Sequence, residues 1–389
     1  MKKIFNLIAS FVLLAGFSAC NKDGSDKPGL PPAPVPTVNY KGLTFISSGN
    51  STVCLAKVGT PDEITLEYST DESQWNPYTL GEKISLADGT FLLFRAGEQK
   101  NLTFSKGSDS YYHFEISGPV TAQGNIMSLL DRDFSTPLST NAFFALFEGC
   151  KSLLSAPELP ATTMAQGCYF RMFAECTGLK SAPELPAEAL AYNCYGRMFK
   201  GCSALTSAPE LPATEMKSYC YNSMFTNCTG LTSAPELPAK RLESYCYNCM
   251  FEGCTSLTSA PELPATYLVT ECYHSMFNGC TSLTSAPKLP ATTLDWGCYS
   301  EMFQGCTSLT SAPELPAKEL IRNCYQLMFK DCSKLRYVKA LFTTSPSEET
   351  TKDWLSGVAA SGTFVKSKNA TWNVTGVNGI PKGWKIETQ

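Results

Sequence analysis

Between residues 187 and 202 the apolar positions recur at a spacing of four: Leu190, Cys194, Met198 and Cys202, with Tyr195 and Phe199 as a second row beside them. The polar and changeable positions (Glu188-Ala189, Ala191-Tyr192-Asn193, Gly196-Arg197, Lys200) fall between these rows. One apolar stripe with a variable opposite face predicts an amphipathic helix over about Ala187–Lys200. Gly201 would stop that helix, as Gly149, Gly253, Gly279 and Gly305 would at equivalent places. Leu205, Ala208 and Leu211 follow with the look of a short strand, which Pro209 and Pro212 must keep short because proline cannot donate to a ladder.

The whole pattern repeats. Ser-Ala-Pro-Glu-Leu-Pro-Ala starts at Ser155, Ser181, Ser207, Ser233, Ser259, Ser285 and Ser311, each 26 residues after the last, and only Lys288 departs from it. A fixed period of this length is the signature of a solenoid, in which each unit buries its apolar side against its neighbours. Such arrays present long surfaces and seldom enclose a catalytic pocket.

The ends of the array are atypical, as they must be to close its core. Ala142-Phe143 and Leu146-Phe147 open it with a divergent half-repeat, and Tyr337–Phe342 gives a last strand without prolines. A tail with a short helix around 352–359, strands at Thr363-Phe364-Val365 and Trp384-Lys385-Ile386, and Trp372 reads as an α+β cap. Before the array, alternating runs at Ile64–Tyr68, Ile84–Leu86, Phe91–Phe94 and Tyr111–Ile116 predict a small all-β sandwich. Trp75, Tyr78 and Phe94 could stack sugars, but a small β domain needs aromatics inside, so they are assigned to its core. The fold class is therefore an α/β repeat solenoid of 26-residue units, preceded by the sandwich and followed by the cap. Its boundaries are 39–124 (sandwich), 125–342 (solenoid) and 343–389 (cap).

The motif Gly253-Cys254-Thr255-Ser256-Leu257-Thr258-Ser259, then a proline-bounded segment and an aromatic arm such as Cys272-Tyr273-His274-Ser275-Met276-Phe277, resembles the BspA-type leucine-rich repeats of bacterial surface proteins. The likeness covers about residues 141–342. It implies one strand and one helical arm per unit, strands on the concave face, and a role in adhesion or protein interaction.

The N-terminus reads as a processing signal over residues 1–19, with Lys2 and Lys3 before an apolar run from Ile4 to Leu14. That run is too short to span a membrane. Phe17-Ser18-Ala19-Cys20 looks like a lipobox, which would make Cys20 the lipidated first residue of the mature chain. A polar, then proline-rich tether follows over 20–38, and its start resembles the export signal of Bacteroides-type surface lipoproteins. The expected location is the outer membrane, lipid-anchored and facing the exterior.

A net charge of −4 and no basic stripe argue against nucleic acid. Fifteen of the 18 cysteines form two ladders with the repeat period, one from Cys168 to Cys324 and one from Cys150 to Cys332. Their placement suits buried free thiols, and with only two histidines in the chain, His113 and His274, a metal site is not indicated. No cofactor and no catalytic motif is indicated, so the chain reads as a non-enzyme. The one electrostatic oddity is the ladder Glu158, Glu184, Glu210, Glu236, Glu262 and Glu314, interrupted by Lys288. It is either a solvated ridge or a contact line for calcium or a cationic partner. The expected function is non-catalytic binding of a host or bacterial surface protein. Polysaccharide capture is the first alternative and a passive spacer the second; a hydrolase of unseen type is the remaining one. Sequence fixes neither the ligand nor the oligomeric state.

Overall fold

The computed structural model describes residues 41–100 and 102–389. Nine strands open it: β1 (Leu43–Ser47), β2 (Ser51–Val58), β3 (Leu66–Ser69), β4 (Asn76–Pro77), β5 (Ile84–Leu86), β6 (Phe91–Ala96), β7 (Ser105–Gly107), β8 (Ser110–Ser117) and β9 (Val120–Gln123). They form two sheets, ordered β9-β1-β6-β3-β4 and β5-β2-β8-β7, all antiparallel. Alternation puts Phe45 and Phe94 of one sheet against Phe114 of the other, with centroids 5.0 and 5.6 Å apart. Tyr78 joins Phe94 in this core at 5.1 Å.

The array grows directly from this core. β10 (Leu153–Ser155) runs parallel to β9 and becomes a sixth strand of the first sheet. The Phe114 amide donates to the Leu146 carbonyl at 2.7 Å, and the Phe114 ring stacks on Phe147 at 5.2 Å. β8 thus acts as the rung before the first repeat.

The predicted helical arm is absent. Residues 193–202 form consecutive turns in which alternate amides bond in two directions. Cys194, Gly196, Met198 and Lys200 donate three residues back, at 3.2–3.3 Å. Tyr195, Arg197, Phe199 and Gly201 donate to carbonyls of the next repeat (Cys220, Asn222, Met224, Thr226) at 2.8–3.0 Å. Every fourth residue is left-handed: Asn193, Arg197 and Gly201 have φ of 54°, 55° and 76°. Left-handed residues cannot continue an α-helix. The spacing itself carried the warning. A 3.6-residue helix would rotate a strict four-residue stripe by about 80° over eight residues, whereas a turn ladder returns to the same face every four.

Because each turn is hydrogen-bonded to the next repeat, identical side chains stack along the axis. Tyrosines from Tyr169 to Tyr325 stack at 5.8–6.0 Å and within 7° of parallel. Phenylalanines from Phe147 to Phe329 do so at 5.3–5.7 Å. All 17 described cysteines are free thiols, and all but Cys249 are buried.

The α+β cap is likewise corrected. β11 (Ser311–Leu315), β12 (Tyr337–Ala340), β13 (Thr363–Lys366) and β14 (Lys385–Thr388) form one parallel sheet in that order. The expected helix at 352–359 is a further stretch of turn ladder, with Asp353 and Gly357 left-handed. Within residues 343–389, helix is confined to one turn at Glu348–Thr351. Trp354 lies fully buried where a repeat would place methionine, its indole N–H donating to the Gly379 carbonyl at 2.9 Å. Trp372 and Trp384 close the end, donating to the carbonyls of Phe342 and Ala359. A larger ring and satisfied N–H groups terminate the stack without exposing its last face.

Candidate binding surface of the solenoid

The Ser-Ala-Pro-Glu-Leu-Pro-Ala segments lie in register, held by single parallel bridges Ser155–Ser181 and Ser207–Ser233–Ser259–Ser285. Prolines prevent a continuous ladder, so the segments are extended but barely paired, and the leucine of each motif points into the core. Between successive rungs the prolines leave a row of open clefts. The first, of about 410 Å³, is lined by Pro157, Glu158, Pro160, Pro183, Glu184 and Pro186. Like clefts of about 450 and 480 Å³ recur with Glu184 and Glu210, and with Glu210 and Glu236. A fourth, of about 470 Å³, carries Lys288 and Glu314.

The structure brings the predicted acidic residues together as a line: Glu158, Glu184, Glu210, Glu236, Glu262 and Glu314 are all exposed. At the interstrand spacing of about 5 Å, neighbouring carboxylates repel by about 1 kcal/mol in water-like dielectric, less with salt. Glu314 has no such neighbour, since Lys288 takes the preceding rung, and it pairs with Lys339 of β12 at 2.9 Å. Beside the prolines, the Thr232, Thr258 and Thr284 hydroxyls each donate to the threonine carbonyl of the preceding rung, at 3.2–3.4 Å. The surface is therefore a rigid, periodic strip of proline rings, carboxylates and threonines. It can seat an extended ligand through side chains. Cys20 lies outside the described residues.

The turn-ladder flank holds a second polar group, which sequence reading missed. His274 sits between Glu271 and Glu301, with ring nitrogens 3.9 and 4.0 Å from their carboxylates. Asn248 donates to Glu271 at 3.2 Å, and Ser275 to Glu301 at 3.2 Å. Burial lowers the His274 pKa against the pull of Glu301, and burial with Glu301 raises that of Glu271. Burial and Glu252 push the nearby Cys249 thiol up to about 12. A thiol kept protonated is a poor nucleophile, so these residues do not form an activated cysteine site. No sequence signal singled them out, because residues 248, 249, 271, 274 and 301 stand at repeat positions that differ from copy to copy.

A family model described as the BspA type leucine rich repeat region matches six copies over residues 145–284 and 218–346, together just over half of the chain. No curated protein and no solved structure matches it.

Proposed function

Because the chain belongs to the BspA-type leucine-rich repeat family, we propose that it is a non-catalytic binding protein carried on the bacterial surface. In this reading the signal segment is removed, Cys20 is acylated, and residues 20–38 tether the folded part to the exterior of the outer membrane. Two acyl chains suffice for stable anchoring. The ligand is an extended protein, of the host matrix or of another bacterium, lying along the proline strip.

One observation carries this reading: the same groups recur in register along the strip, with a glutamate exposed on every rung but that of Lys288. Repetition multiplies a weak contact into avidity without any new chemistry. The buried parts of the repeat contribute stacking, backbone bonds and thiol-to-carbonyl bonds that hold the strip in register.

The test is a screen of the protein lacking residues 1–20 on arrays of matrix proteins and glycans, with and without calcium. Binding to a matrix protein, lost when Glu184, Glu210, Glu236 and Glu262 become glutamine at unchanged Tm, is the expected result. Binding that survives those four changes removes the strip from the argument, and silence on every protein leaves a spacer. Cys20→Ser should release the chain from membranes; retention would refute the anchor.

A further inference from the structure

A cleft of about 340 Å³ opens on the outer side of the β3–β6 pair, ahead of the first repeat. Its size is at the small end of the roughly 300–1,000 Å³ range of ligand pockets. Lys41, Arg95 and Arg132 line it against a single carboxylate, Glu72, in a chain whose net charge is −4. Trp75 and Phe134 supply the aromatic walls and Leu93 part of the floor.

The arginines are held in place from behind. Glu67 of β3 faces Arg95 of β6 across the sheet. One of its oxygens takes Arg95 at 2.8–2.9 Å, the other Arg132 at 2.7 Å. Arg132 also donates to the Ala96 carbonyl at 3.3 Å. One carboxylate thus fixes two guanidiniums side by side and leaves each with further N–H donors. Arg95 additionally stacks on Trp75, 3.7 Å from the ring centroid.

The loop bearing Arg132 and Phe134 is fixed as firmly. Asp131, fully buried, accepts the backbone N–H groups of Asp133 at 2.6 Å, Ser135 at 3.3 Å and Thr136. Burial acts to raise its pKa, but these bonds hold it below the ordinary carboxylate range. Phe134 is left-handed, with φ of 57°. An aromatic residue pays strain there, and such strain persists where the surroundings impose it.

We propose that this cleft binds a carboxylate-bearing sugar residue of an acidic glycan, at a site separate from the solenoid strip. Paired guanidiniums match the two oxygens of a carboxylate, and flanking aromatic walls suit the apolar face of a sugar ring. Glu72 at the rim is placed to accept a hydroxyl. A bare acidic peptide side chain would satisfy the arginines but leave the aromatic walls unfilled.

The experiment is titration calorimetry of the whole protein with a hexuronate trisaccharide, its neutral counterpart, inorganic phosphate and a short polyglutamate peptide. Saturable one-site binding of the hexuronate is expected, with the other three at least tenfold weaker. Arg132→Gln and Trp75→Ala should each cost tenfold or more. Lys41→Gln, at an exposed position, should cost about threefold, consistent with one long-range charge, and serves if the arginine variant fails to fold. Equal binding of phosphate or peptide, equal binding of the neutral sugar, no binding of the hexuronate, or indifference to all three variants would overturn the proposal.

Discussion

The thiol of Cys228 donates to the backbone carbonyl of Phe199, 3.0 Å away and 29 residues earlier. The same bond recurs from Cys176 to Phe147, Cys202 to Phe173, Cys254 to Phe225, Cys280 to Phe251, Cys306 to Phe277 and Cys332 to Phe303. Each thiol fills a small apolar space and gives a neighbouring turn carbonyl a second donor. Cys228→Ala is therefore expected to cost about 1–2 kcal/mol, from a lost weak bond and a small cavity. Urea denaturation measures it; no change in midpoint would show that the thiol is only a spacer.

The tyrosine ladder behaves differently. The Tyr247 hydroxyl is buried without a hydrogen-bond partner, as are those of Tyr169, Tyr273 and Tyr325. An orphaned buried hydroxyl costs about 1–3 kcal/mol, so Tyr247→Phe should leave stability unchanged or raise it. Tyr78→Phe should do the opposite, because that hydroxyl accepts from the Leu55 amide at 2.8 Å and donates to the Glu82 carbonyl at 2.7 Å. Thermal unfolding of the two variants side by side tests the contrast.

Glycine takes the third left-handed position of most turn ladders, while Glu175, Asn227 and Asp331 hold it in three. Gly279 and Gly253 have φ of 72° and 70°, but a Cβ on Gly279 would meet nothing closer than 3.7 Å, while one on Gly253 would lie 2.2 Å from the Asn227 carboxamide oxygen. Gly279→Ala should cost about 1–2 kcal/mol, the price of the left-handed backbone alone. Gly253→Ala should cost more, since Asn227 must also move. Equal losses in chemical denaturation would contradict this ordering.

Acid should loosen the flank around His274. Its folded pKa lies below 6.5 because burial disfavours the imidazolium. The unfolded chain therefore binds the proton first, and stability falls as pH drops from about 6.5 toward the folded value. Glu271 works in the other sense: its folded pKa is raised above 4.5, so protonating it in that lower range favours the folded state. His274→Gln should flatten the fall in Tm between about pH 7 and pH 5.5. An unchanged pH profile would show that His274 does not govern it.

Much of the architecture was legible because repetition is visible without coordinates. Seven copies of Ser-Ala-Pro-Glu-Leu-Pro-Ala announced a solenoid, and the strands at Ile84–Leu86, Phe91–Phe94 and Tyr111–Ile116 follow simple alternation. The arm misled because Leu190, Cys194, Met198 and Cys202 fit a broad helical stripe over about three turns. Their true partners are 26 residues away, and no local pattern reveals a hydrogen bond from Tyr195 to Cys220.

The sequence by itself determined the period, the buried identities and the glutamate line, since each is a statement about which residues recur. Only the tertiary structure decided the rest. It made the arm a turn ladder, because its amides are satisfied between repeats. It sent Tyr78 and Phe94 to the core while leaving Trp75 under Arg95, and it drew Arg95 and Arg132 from separate segments onto the Glu67 carboxylate. Contacts between distant segments depend on how elements pack, and packing energy is written in three dimensions.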